Sequence, residues 1–264
     1  MITLYDHPLS PYGQKVKIAL AEKGVEFEAV QPGAIGSGQT RGPFAEVSPR
    51  GEVPVLVDDA TAVFDSTVIL EYIEERWPEP ALLPAAPAER ARVRMLEDAM
   101  DTHFEAITWG LSEVRNFGRG GGAVAQRLES AARDQLAGWY RWLTKQLGTR
   151  TWFNGTQFGW GDLCVVPFLN GAVGFGHPVE GSLAQWLERA NGRASVAACV
   201  AAARAVAMDS SGASLTAVRQ ALEQGLFKRE YRDHRLEWMI KSGGLEVVAS
   251  GMTAGNIRFI APFG

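Results

Sequence analysis

An α/β unit followed by an all-helical one is the fold class this sequence predicts, and three observations carry that reading. Within the first 80 residues, strand-like and helix-like patterns alternate in the order β-α-β, loop, β-β-α. Residues 78–87, PEPALLPAAP, then place four prolines in ten positions. Proline has no N–H to donate and restricts the residue before it, so no helix crosses this stretch easily and a domain boundary belongs here. Beyond it, nearly every segment up to about residue 225 has helical spacing.

The elements follow in order. Residues 2–5 (ITLY) are short, β-branched and aromatic, as a strand is. Residues 11–23 carry Val16, Ala19, Leu20 and Lys23 at helical spacing, with Gly24 as the stop. Residues 26–30 (EFEAV) alternate again, and the Gly-rich PGAIGSGQTRG reads as loop. PVLV and TAVF, joined by Asp58, Asp59 and Ala60, read as a hairpin. DSTVILEYIEERW places Val68, Ile69, Tyr72, Ile73 and Trp77 on one helical stripe. After the prolines, a long helix is expected over 88–116. FGRGGGA is a break, and a second long helix over 123–147 bears Leu128, Leu136, Trp139, Tyr140 and Leu143. Further helices are expected at 160–174, 182–190, 193–207 and 213–224. The last forty residues mix apolar Tyr231, Leu236, Trp238, Met239 and Ile240 with charges, too apolar a pattern for a solvated tail.

Bulk properties narrow the function. The chain has 264 residues, 46% hydrophobic and 21% charged, with net charge −4. Without a basic excess to neutralise phosphates, nucleic acid is a poor partner. No apolar run approaches the roughly 20 residues of a membrane span, and MITLYDHPLS lacks a signal-peptide pattern. Cys164 and Cys199 form no CxxC pair and read as reduced core thiols of a cytoplasmic protein. His7, His103, His177 and His234 make no metal-ligating spacing, so no metal is expected.

Three stretches have the residue types that carry chemistry. In HPLSPYGQKVKIALAEKG, Ser10 precedes proline at a helix start. Its oxygen caps an early N–H, and a cap that directly follows a strand also sits at the sheet edge where α/β folds bind ligands. In GEVPVLVDD, Pro54 opens a strand where only a first-position proline is tolerated. Either this is an ordinary strand start, or a cis Val53–Pro54 bond leaves the Val53 N–H and C=O free to pair with an extended peptide. In FDSTVILEYI, Asp65 and Ser66 either cap a helix or, in addition, hold a carboxylate and an ammonium group.

Ser10-Pro11-Tyr12, then Val53-Pro54, then Asp65-Ser66, in this order on this layout, resembles the cytosolic glutathione transferases, in particular serine-type bacterial members. The resemblance covers the layout of roughly residues 1–225 and is most specific over SPYGQKVKIALAEKG, GEVPVLVDD and DSTVILEYIEERWP. It implies a thioredoxin-like glutathione-binding domain over residues 1–80, a helical domain over 88–225 forming a hydrophobic substrate cleft, and an extension over 226–264 packed on the helical domain. Glutathione is the implied co-substrate. Ser10 would hydrogen-bond its sulfur, Val53 beside cis-Pro54 would pair with its cysteinyl part, and Asp65 and Ser66 would hold its γ-glutamyl end. A hydrophobic, aromatic electrophile would lie against Tyr12, Met100, His103, Phe104 and Ile107, with Trp109, Trp238 and Phe259 adding aromatic surface. The likeness also implies a homodimer in the cytoplasm with a detoxifying role.

The chain departs from the pattern in four places. Serine stands where redox-active members carry cysteine, which argues against a mixed-disulfide mechanism. Glu52 stands where many members place Gln or Lys to meet the glycyl carboxylate, so Gln39, Thr40 or Arg41 would have to supply that contact. In GWGDLCVVPFL, Gly159 takes the place of a capping Ser or Thr while Asp162 is kept, with only a few tenths of a kcal/mol expected from the change. The extension is longer than in many members. Two other readings stand beside the transferase: glutathione-dependent cleavage of an aryl ether or halide, and a non-catalytic binding module on the same fold.

Overall fold

The computed structural model describes residues 1–33, 35, 40–209 and 213–259. The first unit holds a four-stranded mixed sheet of order β2-β1-β3-β4, formed by β1 (Ile2–Tyr5), β2 (Phe27–Val30), β3 (Val55–Asp58) and β4 (Thr61–Phe64). Strand β1 runs parallel to β2 and antiparallel to β3, with Tyr5 opposite Val55, and β3 pairs antiparallel to β4 with Val55 opposite Phe64. Helix α1 (Pro11–Glu22) buries Val16, Ile18, Ala19 and Leu20, and α3 (Ser66–Arg76) buries Ile69, Leu70 and Ile73. Between β2 and β3 in the chain lies α2 (Pro43–Val47), which buries Phe44 against Tyr5 and follows the Gly-rich loop in a stretch where no element was expected. It starts at a proline, whose fixed φ suits a first helical position. This is the thioredoxin-like arrangement the sequence implied.

Gln39 lies outside the described residues. The proline-rich stretch between α3 and α4 contains a cis Glu79–Pro80 bond, and the Leu82 and Leu83 N–H groups donate to Glu74.

The helical unit comprises α4 (Pro87–Ala99), a π-helical turn (Met100–Phe104), α5 (Glu105–Arg115), α6 (Ala123–Leu147), α7 (Trp160–Leu163), α8 (Val166–Gly174), α9 (Gly181–Asn191), α10 (Ala194–Asp209) and α11 (Ala213–Glu223). The long helix expected over 88–116 is continuous but carries that π turn, which adds a residue and rotates Asp101 and Glu105 relative to the α4 face. At Gly159, φ is −173°, an extended value open to any residue, so space rather than conformation demands glycine. A Cβ there would lie 2.4 Å from the Leu82 carbonyl oxygen and 2.3 Å from Asn154 Nδ2. Asn154 occupies the room of the absent capping side chain: its Oδ1 accepts from the Gly161 N–H at 3.4 Å. Asp162 returns the other half of the cap, accepting from Gly159 N–H, and also from Phe153 and Asn154 N–H and Trp186 Nε1. Cys164 and Cys199 are both free and buried.

The extension forms β5 (Arg229–Glu230), α12 (Asp233–Lys241), α13 (Leu245–Thr253) and β6 (Ile257–Arg258), with β5 and β6 paired in parallel. It packs on α5, where Trp238 lies over Gly110 so closely that a Cβ at 110 would meet the ring at 2.0 Å. Buried Glu113 accepts from Tyr231 Oη at 2.9 Å and pairs with Arg119 and Arg229. The extension also reaches the first unit, through Arg232 on Glu52 and Arg258 Nη1 on the Arg50 carbonyl.

Candidate functional site

Strand register brings the three sequence motifs to one edge of the sheet. The carboxyl end of β1, the amino end of β3 and the carboxyl end of β4 coincide, because Tyr5 faces Val55 and Val55 faces Phe64. Ser10 therefore follows β1, Val53 and Pro54 precede β3, and Asp65 and Ser66 follow β4, all at the same edge. Open α/β sheets bind ligands at such edges, where helix N-termini present free N–H groups.

Ser10 caps α1: its Oγ accepts from the Gly13 N–H at 3.2 Å and its carbonyl from Gln14 N–H at 2.9 Å. An accepting hydroxyl keeps its own proton for donation. The turn before it is held by Gln14 Nε2 donating to the Pro8 carbonyl at 2.8 Å. Gly13 is required because the Asp6 carboxylate fills the space of its side chain, a Cβ falling 1.6 Å from Asp6 Oδ1. His7 Nδ1 accepts from Leu9 N–H, and burial lowers its pKa, so the ring is a neutral turn-former.

The Val53–Pro54 bond is cis, and the Val53 N–H and C=O have no hydrogen-bond partner among the described residues. Ser48 pins the preceding residue, its Oγ accepting from Glu52 N–H and donating to the Glu52 carbonyl. Asp65 has φ 75°, an uncommon value for a non-glycine residue that clusters at functional sites, and caps α3 by accepting from Thr67 N–H at 3.1 Å. Its other oxygen faces Arg50 Nη1 at 3.4 Å. Ser66 is the first residue of α3 and is buried. Arg41 is exposed in the loop before α2.

The expected apolar cleft is different. Met100, Phe104 and Ile107 have no accessible surface and belong to the core, and Trp109 and Trp238 are buried with them. Met100 and Phe104 lie in the π turn itself, and Ile107 in the helix that follows it. His103 is exposed and stacks on Trp139, and Phe259 is about half exposed. Tyr12 is half-buried; its hydroxyl donates to the Asp101 carbonyl at 2.6 Å and its ring meets Phe168 edge-on. What stands over this region is charge carried by the extension. Arg235 binds Glu105 bidentately, with Nε at 3.1 Å and Nη2 at 2.6 Å, and His234 Nε2 lies 3.2 Å from Glu105. Burial opposes ionisation of Glu105, but Arg235 and His234 outweigh it and hold the carboxyl at about 2. Arg232 binds both Glu52 and Glu230.

Sequence reasoning missed this layer, and also the buried Lys15 beneath the site. Lys15 Nζ lies 2.7 Å from Glu97 Oε1 and also pairs with Asp101; Thr67 and Trp160 donate to Glu97 as well. Lys15 gave no such signal in the sequence, where it sits between polar Gln14 and apolar Val16.

A separate groove encloses about 1150 Å³ between β2 and α9–α10, lined by Phe27, Ala29, Trp152, Arg193 and Cys199 among others. Among the described residues, no helix is long and apolar enough to cross a membrane, and no group of three His, Cys, Asp or Glu has metal-site geometry.

Residues 4–81 match the family model described as the N-terminal domain of glutathione S-transferase. A glutathione S-transferase of Pseudomonas putida is 35% identical over 177 residues, spanning 66% of this chain and 77% of that protein. A stringent starvation protein A homolog of Coxiella burnetii is 38% identical over 104 residues, but this covers only 39% of the chain and 48% of that protein. Among solved structures, rice GST1 in complex with glutathione has 30% identity and a TM-score of 0.62, over 74% of this chain and 90% of that one. Sheet order, edge geometry and these likenesses agree: the chain belongs to the glutathione S-transferase family.

Proposed function

We propose that the protein is a serine-type bacterial glutathione transferase, which binds glutathione at the sheet edge and activates it as a thiolate for attack on an electrophile. One observation carries the reading: a capping serine with a spare hydroxyl proton, the open backbone of Val53, and the Asp65–Ser66 helix start converge where one extended tripeptide would span them. Val53 would pair with the cysteinyl residue as an added strand does. Asp65 would exchange Arg50 for the γ-glutamyl ammonium, and the N-terminus of α3 would take the carboxylate beside it.

Ser10 then both starts α1 and donates to the sulfur. A thiol of pKa about 8.5 is only about 3% ionised at pH 7, and one of about 6.5 is roughly three-quarters ionised. That change is about 2.7 kcal/mol, within reach of one hydrogen bond to an anion together with a helix N-terminus. No general base is needed, because the thiolate is itself the nucleophile and the protein supplies its ionisation and alignment. Residues 1–80 serve as the glutathione-binding unit, the helical unit and extension border the second substrate, and the molecule works as a cytoplasmic homodimer in detoxification.

The Ser10→Ala variant tests this reading. Titration of the bound thiolate by its ultraviolet absorbance is expected to show a pKa higher by about one to two than in the parent. Identical titrations would remove Ser10 from the chemistry.

A second reading, a glutathione-binding module without turnover, is favoured by one observation: charged pairs, Arg235–Glu105 and Arg232–Glu52, stand where an apolar cleft was expected. The same pairs make a purely hydrophobic electrophile a poor fit. Turnover of a chloro-nitroaromatic and of an aryl ether, measured beside glutathione binding, separates conjugation, ether cleavage and simple binding.

A further inference from the structure

We infer that Arg232, carried to the sheet edge by the C-terminal extension, holds the glycyl carboxylate of glutathione. The inference rests on the glutathione site proposed above and adds the residue that its sequence motifs lack.

An extended glutathione has three charged groups besides its sulfur. The ammonium and carboxylate of the γ-glutamyl end are accounted for by Asp65 and the start of α3. The glycyl carboxylate lies one residue beyond the cysteinyl unit, about 3.5 Å along the chain, and so passes beside the segment flanking Val53. The side chain there is Glu52, which has the wrong sign. Arg232 corrects it, with Nη2 at 2.5 Å and Nε at 3.3 Å from the Glu52 oxygens.

A charge inventory shows room for one more anion. The groups facing one another are Glu52 before β3, Glu105 on α5, Glu230 on β5, Arg232 at the start of α12, His234 and Arg235 on α12, and Arg258 on β6. Arg235 binds Glu105 bidentately, joined by His234, and its Nη1 also lies 3.8 Å from Glu230 Oε1. Arg232 and Arg258 remain, and they face Glu52 and Glu230. Burial and the neighbouring Glu230 raise the Glu52 carboxyl to about 7, so near neutral pH the two carboxyl groups tend to share one proton. Two guanidinium groups then face one negative charge. Donors are also unused: Arg258 Nε is buried with no hydrogen-bond partner, and Arg232 Nη1 makes no hydrogen bond among the described residues. A planar guanidinium matches a carboxylate with two parallel N–H bonds.

The extension is thereby part of the co-substrate site and not only packing on the helical unit. The chain places a carboxylate where a cation is wanted, and the cation arrives from a segment 180 positions later in the sequence.

Calorimetry on the full chain with glutathione and with its glycyl monoethyl ester tests this. The parent protein is expected to prefer the free acid by roughly 10- to 100-fold, the range of a charge-assisted hydrogen bond. In Arg232→Gln the preference should fall to about one, through weaker binding of the free acid with ester binding unchanged, and Arg232→Lys should restore part of it. If Arg232→Gln fails to fold, Glu52→Gln carries the test: it frees Arg232 of its internal anion, and the preference should rise. Equal binding of acid and ester by the parent, an undiminished preference in folded Arg232→Gln, or an unchanged or lower preference in Glu52→Gln would each overturn the inference while leaving the glutathione site standing. Absence of binding of either ligand to the parent would instead overturn the site reading on which it rests.

Discussion

Lys15→Met would remove the cation at the junction of the two units, and its cost can be worked out from the partners left behind. Lys15 is fully buried between Glu97 and Asp101. After its removal, Glu97 keeps Thr67 Oγ1 at 2.9 Å and Trp160 Nε1 at 2.6 Å. The same Thr67 hydroxyl lies 3.5 Å from Asp101 Oδ2, but its one proton serves the shorter bond to Glu97, and Asp101 Oδ1 already has no partner. One carboxylate, not two, is therefore stranded, which points to the lower part of the roughly 3–5 kcal/mol that breaking a buried pair costs. The loss should depend on pH in a defined direction. Burial holds the Asp101 carboxyl well above the usual range even against the pull of Lys15, and removing Lys15 raises it further. A carboxyl whose folded pKa lies above its unfolded value favours folding at low pH, and that advantage is lost as pH rises through the folded pKa. Urea unfolding of parent and variant should thus show a penalty of about 3 kcal/mol near pH 8 that shrinks near pH 5. A penalty below about 1 kcal/mol at pH 8, or one that grows on acidification, would refute the account of Lys15 as the counter-ion of Asp101.

Two further substitutions probe packing. Gly159→Ser restores the expected cap residue yet should destabilise by about 1–3 kcal/mol, because its Cβ would sit 2.4 Å from the Leu82 carbonyl oxygen; a raised melting temperature would contradict this. Gly110→Ala should improve helix propensity in α5 but expel the Trp238 ring, seen as a red-shifted tryptophan emission and faster proteolysis of the extension, whereas an unchanged spectrum would show that the ring is not seated there.

Legibility in the sequence followed the range of the interactions involved. The four strands, α1, α3 and the break in helix at the prolines, between Arg76 and Pro87, were readable because local periodicity and punctuation determine them. Ser10, Val53–Pro54 and Asp65–Ser66 were readable for the same reason: each is a local backbone device, and strand register alone then gathers them at one edge. The short α2 was not, since five residues carry too little pattern to separate helix from loop. The expected cleft residues failed for a different cause. Met100, Phe104 and Ile107 have helical spacing, which identifies a buried face but not what buries it, and the π turn changes which face that is.

The charged layer over the site shows the same limit from the other side. Glu52 was visible as a departure from its family's pattern, but a departure in sequence does not say whether it disables a site or is answered elsewhere. An uncompensated carboxylate at the peptide-binding edge would repel an anionic ligand, and burying it would cost several kcal/mol. In the fold it is neither alone nor fully charged. Arg232 binds it, and burial together with the neighbouring Glu230 raises its pKa, so that Glu52 tends to hold a proton and leaves the guanidinium in excess. Long-range pairs of this kind leave no periodic trace, since position 232 could meet almost any acid until β5 and β6 set the course of the extension. The longer tail and the reversed charge at position 52, two separate departures in the sequence, are thus one arrangement in the structure, and neither should be preserved without the other.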